Sequence, residues 1–164
     1  MKRDPWPDLK SLIEFASANA EKIFRRNGEF LPMYHAISMN GQTVILTPPP
    51  GDKDLSVALV KAWMELNDVD RYVFIDEAWT IDNRKGNLPE IDIKKAYREG
   101  IRNHPDRREV IWFNAENRRG EMLTASRFIL RPEHGKATLA PLRIDDMTDV
   151  QSSGRMVGLL QPEK

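Results

Sequence analysis

One stretch of the chain, RYVFIDEAWTI at residues 71–81, constrains the fold more than any other. It is rich in β-branched and aromatic residues, which favour a β-strand. Apolar side chains occupy both alternating sets of positions, and such a strand lies inside a sheet that is covered on both sides. The sequence therefore predicts a central strand here, with neighbouring strands on both sides of it.

The first covering layer is a helix predicted between Asp8 and Gly28. Apolar residues recur there every three or four positions, which is the period of an amphipathic helix. Asp8 is the expected N-cap, and Asn27-Gly28 supplies a left-handed stop.

A second helix is predicted to begin after Asp52 or Asp54 and to end at Asn67-Asp68. An apolar stripe runs along it at helical spacing, so we expect this stripe to pack against the sheet. The stripe consists of Leu55, Ala58, Leu59, Ala62 and Leu66.

Between these helices, the segments MYHAISM and QTVILT flank Asn40-Gly41. This dipeptide favours a two-residue type I′ turn, so the sequence predicts a tight β-hairpin. Such a turn places Ile37 opposite Val44 and His35 opposite Leu46.

Two further strands are predicted at EVIWFNAEN and MLTASRFIL, joined by a turn at residues 118–120, and KATLAPLRI follows. GRMVGLL near the C-terminus is expected to add an edge strand or to pack on a partner. The predicted fold is α+β, a mainly antiparallel sheet of five to six strands with two principal helices, in the order helix, β-hairpin, helix, three to four strands. We expect residues 1–164 to form a single domain, with residues 1–8 and 145–164 peripheral.

Composition excludes several classes of protein. The 25 basic and 25 acidic side chains balance, and there is no cysteine, so disulfides, thiol catalysis and cysteine-ligated zinc are ruled out. The N-terminus does not resemble a secretory signal, and no apolar run is long enough to span a bilayer. We therefore predict a cytoplasmic protein with no membrane partner.

Three carboxylates are the catalytic candidates. Asp76 and Glu77 lie in the predicted central strand, and Glu116 lies in the next one. A carboxylate buried near apolar cover needs a cation, a metal or hydrogen-bond donors. One interpretation is metal-assisted hydrolysis with Mg²⁺ or Mn²⁺. The favoured alternative is a structural ladder in which Glu77 or Glu116 pairs with Arg127 or Arg143.

Other site chemistries find little support in the sequence. There is no glycine-rich phosphate loop and no serine-hydrolase elbow, and the three histidines are scattered without metal-ligand spacing, so we predict no cofactor and no metal. Residues 84–119 carry ten basic against six acidic side chains. Nucleic-acid binding through this segment is an alternative, not favoured because the acidic residues dilute the charge.

RYVFIDEAW and, some forty residues later, REVIWFNAEN, followed by the C-terminal Gly-Arg-x-x-Gly-Leu-Leu, resemble a family of uncharacterised bacterial and phage proteins. The resemblance covers most of the chain after Gly28 and implies that Glu77, Trp79 and Glu116 form the part of the fold to inspect first. The matching residues are Arg71, Tyr72, Glu77, Ala78, Trp79, Arg108, Glu109, Ala115, Glu116, Gly154, Arg155 and Leu159.

The resulting functional prediction is a non-enzymatic binding or interaction module that associates with itself as a homodimer. It follows from the missing catalytic signatures and from the exposed sheet edge that GRMVGLL suggests. The candidate binding residues are Trp79, Arg108, Arg127 and Arg143.

Overall fold

A computed structural model describes residues 6–81, 86, 88–101, 103–145 and 158–160. This part of the chain contains three helices and seven strands. Their bounds are α1 (Leu9–Asn27), β1 (Met33–Ser38), β2 (Thr43–Leu46), α2 (Lys53–Leu66), β3 (Val69–Ile81), α3 (Glu90–Glu99), β4 (Arg107–Asn117), β5 (Met122–Leu130), β6 (Thr138–Leu139) and β7 (Arg143–Asp145).

The strands form one sheet in the order β2-β1-β3-β4-β5-β6, and β7 also pairs with β5. All the pairings are antiparallel. The predicted α+β fold with a mainly antiparallel sheet is therefore confirmed, and β3 lies inside the sheet between β1 and β4. The predicted segment KATLAPLRI contains the two short strands β6 and β7, and α3 is a third, shorter helix.

One face of the sheet, which we call the α1 face, is covered by α1. Asp8 caps this helix by accepting the Ser11 backbone N–H at 2.7 Å, and Gly28 ends it with a φ of 72°, as predicted. The helix packs its apolar stripe on side chains of the central strands, including Val73, Ile75 and Phe113. This layer buries most of the core.

The opposite face, the α2 face, is covered differently from the prediction. Helix α2 buries Ser56, Val60 and Met64, and the last two pack with Tyr34 and Tyr72 of the sheet. The stripe predicted to pack inward is on the outside, and its three leucines are 48–85% exposed. At 100° per residue the exposed stripe lies about 130° around the helix from the docked face. The prediction was wrong because α2 is apolar on both faces, so period alone does not select one.

The β1–β2 hairpin also departs from the predicted register. Ile37 pairs with Thr43 and His35 with Ile45, so the loop has three residues and every cross-strand pair is shifted by one. Gly41 has a φ of 79°, whereas Asn40 has no positive φ, which excludes type I′. The Gly41 backbone N–H donates to the Ser38 carbonyl, the arrangement of a type I turn followed by a left-handed glycine.

Near the C-terminus, Leu159 is more deeply buried than the sequence predicts. Leu159 is 6% exposed and belongs to the apolar cluster of the α2 face, although residues 145–164 were expected to be peripheral. Residues 158–160 are in neither a strand nor a helix, and residues 154–157 of the predicted edge strand lie outside the described residues. In the part of the chain that the structure describes, no helix has the length and apolarity to cross a membrane.

Candidate functional site

Glu116, near the end of β4, accepts more hydrogen bonds than the other predicted carboxylates. It is 6% exposed. Its Oε1 accepts the backbone N–H groups of Leu159 at 2.8 Å and Leu160 at 2.9 Å, and its Oε2 accepts that of Gly158 at 2.9 Å. Each donor lies at ordinary hydrogen-bond distance. The carboxylate thus holds three consecutive peptide groups of the C-terminal segment.

Tyr72 completes this arrangement from the neighbouring strand. It lies directly opposite Glu116 in the β3–β4 register, and the two side chains are hydrogen bonded. Burial and the adjacent Glu116 carboxylate raise the pKa of the Tyr72 phenol, so it stays protonated and donates to Glu116. Its ring packs edge-on against Tyr34 with 5.4 Å between the ring centroids.

Asp76 is on the same face as Glu116 but at a distance from it. It lies opposite Trp112 on β4, four residues from Glu116, which is about 13 Å along the strand. Burial raises the pKa of Asp76 to about 6, opposed by a hydrogen bond from the backbone of Glu77 and by the charge of Lys53. Asp76 is therefore a carboxyl that can exchange a proton near neutral pH, and Glu116 is too far along the strand to share that proton.

Glu77 projects from the opposite side of the sheet. Its Oε1 accepts the Phe30 backbone N–H at 2.5 Å, in the segment that leads from α1 to β1. Burial is the largest influence on its pKa and raises it, and this hydrogen bond opposes the shift. Because adjacent residues of a strand face opposite ways, the sheet itself separates Glu77 from Asp76 and Glu116.

The predicted ion-pair ladder is wrong. Arg127 lies on the α1 face, where it donates to Glu21 of α1 at 3.1 Å and to the Ala140 carbonyl at 2.7 Å. Arg143 is exposed in β7, beside Ser126. The buried Glu116 carboxylate and the partly buried Glu77 carboxylate instead accept hydrogen bonds from backbone N–H groups. Such bonds are charge-assisted because the acceptor is ionised.

Trp79 and Arg108 lie near the opposite end of β4, on opposite faces of the sheet. The Trp79 ring is 5.1 Å from the Arg107 guanidinium carbon, and Arg108 lies 4.8 Å from the Phe128 ring; these are cation–π distances. Arg108 also lines a shallow cleft of about 550 Å³ together with Arg131. This end of the sheet is basic and aromatic, but it is remote from Glu116.

The basic segment does not form a continuous strip in the described part of the chain. Arg107 begins β4 and Arg118 follows its end, a separation of about 36 Å. Arg118 is held by the Asp68 carboxylate at 2.8 Å, and Arg119 contacts Glu121 at 3.1 Å. The predicted contributors Arg84, Lys85 and Arg102 lie outside the described residues.

Among the described residues, no group of three or more His, Asp or Glu side chains could hold a metal ion. His35 is fully buried beneath α1. Its Nε2 is 3.1 Å from the Met33 sulfur and 3.4 Å from Asn19 Nδ2. Burial lowers its pKa to about 4, so it is a neutral core residue at physiological pH.

Two polar side chains near Glu116 were not among the residues predicted to form the site. Asn114 Oδ1 and Thr124 Oγ1 are buried without a hydrogen-bond partner among the described residues, and the two residues are paired across β4 and β5. They lie on the α2 face, one row along the sheet from Glu116. The alternation of polar and apolar residues in NAEN was the signal that could have identified Asn114.

The apolar stripe of α2 is a second feature that was predicted wrongly, because it is exposed and not buried against the sheet. Leu55, Leu59 and Leu66 are 60%, 48% and 85% exposed, and Ala58 and Ala62 between them are also exposed. A contiguous apolar patch of this kind marks an interaction surface more often than a bare protein face.

No family model, no curated protein and no solved structure matches this chain. The resemblance to uncharacterised bacterial and phage proteins therefore stays a prediction, and the site has to be interpreted from its own geometry.

Proposed function

We propose that the protein is a non-enzymatic interaction module that forms a homodimer through α2. The observation that carries this proposal is the exposed leucine stripe of that helix. Leu55, Leu59, Ala62 and Leu66 follow each other at intervals of four, three and four residues, which is the spacing of a coiled-coil seam.

A second copy of the same helix is the partner that this stripe fits. The pattern is symmetric about its centre, so an antiparallel pair related by a two-fold axis sets Leu59 against Ala62 of the second copy and Leu55 against its Leu66. A large residue then meets a small one at the centre, which favours close packing. Glu65 faces Ala58 of the second copy, so no like charges meet at the seam.

The size of the stripe predicts a weak dimer. It extends over 11 residue steps, or about 16 Å of helix, and the three leucines retain about half or more of their exposed surface. An interface of one helix from each copy falls below the roughly 1,200 Å² of a standard stable complex, so we expect a dissociation constant of about 10⁻⁵–10⁻³ M.

Leu59→Glu tests this proposal. Leu59 is at the centre of the stripe and half exposed, so the substitution leaves the monomer folded while placing two charges at the dimer axis. Sedimentation equilibrium across a concentration series should show at least a tenfold weaker association than the wild type. The matched control is Lys61→Glu on the same helix, which is exposed and off the stripe and should dimerise normally.

Two outcomes would overturn the proposal. A wild-type chain that stays monomeric up to about 1 mM lies outside the affinity range expected for this surface. A Leu59→Glu variant that associates as strongly as the wild type would place the interface elsewhere.

The alternative of a hydrolase that uses Asp76, Glu77 and Glu116 together finds no support in the geometry. Glu77 is on the α1 face, and Glu116 already accepts three backbone donors. Nucleic-acid binding stays an alternative that the distribution of Arg107 and Arg118 does not favour.

A further inference from the structure

We propose that the surroundings of Glu116 are a peptide-recognition site specific for a Gly-Leu-Leu segment. The chain's own residues Gly158–Leu160 occupy it here, and the same segment of a second copy can replace them. This inference is independent of the α2 surface, and failure of either leaves the other standing.

The polar half of the site recognises peptide backbone. The two oxygens of Glu116 accept three successive N–H groups at 2.8–2.9 Å. In a strand, successive N–H groups point to opposite sides, so one carboxylate reaches three of them only where the chain turns around it. Such a concave run of N–H groups is a typical anion-binding arrangement. The site therefore selects a segment whose backbone donors are not used in a helix or a sheet.

Glycine is required at the first position of the segment. Gly158 has a φ of 70°, in the left-handed region that other residues rarely adopt. A side chain there would meet nothing within 4 Å, so the requirement comes from backbone conformation and not from space.

Leucine at the second position is selected by an apolar pocket. Leu159 is 6% exposed and packs in the cluster that contains Tyr34, Val60, Tyr72 and Phe74. The aromatic rings and α2 enclose the side chain, so a charged residue at this position would be excluded. Leu160 also packs against this cluster and donates its N–H to Glu116. Backbone recognition by Glu116 and side-chain recognition by the pocket together define a Gly-Leu-Leu ligand.

The covalent connection does not restrict this segment to its own pocket. Asp145 pairs with Thr124 of β5. Thr124 lies one strand away from Glu116 and two residues further along the sheet, so Asp145 and Glu116 lie within about 15 Å of each other. The chain from Asp145 to Gly158 has 13 residue steps and can extend over about 43 Å. This excess length permits exchange between copies, although the tethered segment competes at an effective concentration of about 1 mM.

The experiment therefore displaces the tethered segment first. Leu159→Asp puts a charge in the apolar pocket and releases the segment, and the probe is a fluorescein-labelled peptide with the sequence of residues 154–164, GRMVGLLQPEK. Fluorescence anisotropy should show the probe binding to the Leu159→Asp chain at least tenfold more tightly than to the wild type. The same peptide with aspartate in place of its central leucine should not bind.

Glu116→Gln in the Leu159→Asp background identifies the receptor. It should weaken probe binding at least tenfold, whereas Glu121→Gln, an exposed carboxylate beyond the end of the same strand, should leave binding unchanged. Equal binding by the Glu116 and Glu121 variants, equal binding by the wild type and the Leu159→Asp chain, or no binding by the Leu159→Asp chain would each overturn the proposal.

Amide hydrogen exchange keeps the proposal testable if the Leu159→Asp chain does not fold. In the otherwise wild-type chain, Glu116→Gln should accelerate exchange at Gly158, Leu159 and Leu160 at least tenfold relative to Glu121→Gln. Unchanged exchange at these three amides would show that Glu116 does not hold the segment.

Discussion

Replacing Glu116 by glutamine should destabilise the fold considerably, although the two side chains have nearly the same shape. Glutamine keeps one acceptor oxygen, which can still serve Leu159 and Leu160. Its NH₂ group then faces the backbone N–H of Gly158, which the second carboxylate oxygen accepts at 2.9 Å in the native protein. Two donors cannot bond to each other, so this interaction is lost and the other two lose their charge assistance.

The magnitude follows from these contacts. A hydrogen bond to a charged group contributes about 1.5–3 kcal/mol, and a neutral one about 1 kcal/mol. Losing one bond and weakening two is partly offset because the glutamine side chain is less costly to bury than a carboxylate. We expect the free energy of unfolding to fall by about 2–4 kcal/mol.

Urea denaturation followed by circular dichroism measures this change, with Glu121→Gln as the matched control. Glu121 is exposed and its ion pair with Arg119 is a surface pair, so its substitution should cost less than about 1 kcal/mol. A loss below about 0.5 kcal/mol for Glu116→Gln, or equal losses in the two variants, would refute the view that Glu116 anchors the C-terminal segment.

Three further substitutions test other buried groups. The first is His35→Phe. In the wild type, His35 takes up a proton near pH 6.5 when the chain is unfolded but only near pH 4 when it is folded, so the wild type should lose about 3 kcal/mol of stability relative to the variant as the pH drops from 6.5 to 4. A stability difference that does not change with pH would contradict this. The second is Asp76→Asn. The pKa of Asp76 is raised to about 6 in the folded protein, so the wild type loses stability as the pH rises from 3.8 to 6. Relative to the wild type, the variant should therefore be more stable by about 1–2 kcal/mol at pH 7, after allowance for partial exposure, and no more stable at pH 3. Thr124→Val removes a buried hydroxyl that has no partner in the described structure and should raise the free energy of unfolding by about 1 kcal/mol; thermal melts that show destabilisation would imply that the hydroxyl is bonded.

The sequence predicted α1 and β3 well because local chemistry and tertiary packing agree there. Asp8 and Gly28 have side-chain and backbone properties that end a helix wherever it packs, and the apolar period of α1 leaves only one face to bury. In β3, apolar side chains on both faces allow no position at the edge of a sheet. These elements needed no information from the rest of the chain.

The candidate site could be predicted only in part. Side-chain alternation along a strand places Asp76 and Glu77 on opposite faces, yet the sequence prediction grouped them with Glu116 as one catalytic set. The partners of Glu116 could not be predicted, because Gly158–Leu160 are more than 40 residues distant in sequence and their donors are backbone N–H groups that every residue carries. Arg127 was assigned to the wrong carboxylate for the same reason, since Glu21 reaches it only after α1 docks.

By itself the sequence determined the order of the elements, the α+β class and the central position of β3, since these follow from periodicity, capping and the steric limits of each residue. Tertiary structure decided which face of α2 is buried, the register of the β1–β2 hairpin and what Glu116 binds. Helix α2 is apolar on both faces and the Asn40-Gly41 turn is compatible with more than one loop length, so local energies are nearly degenerate there. For α2, only the fit of Val60 and Met64 against Tyr34, Tyr72 and the C-terminal Leu159 selects the buried face.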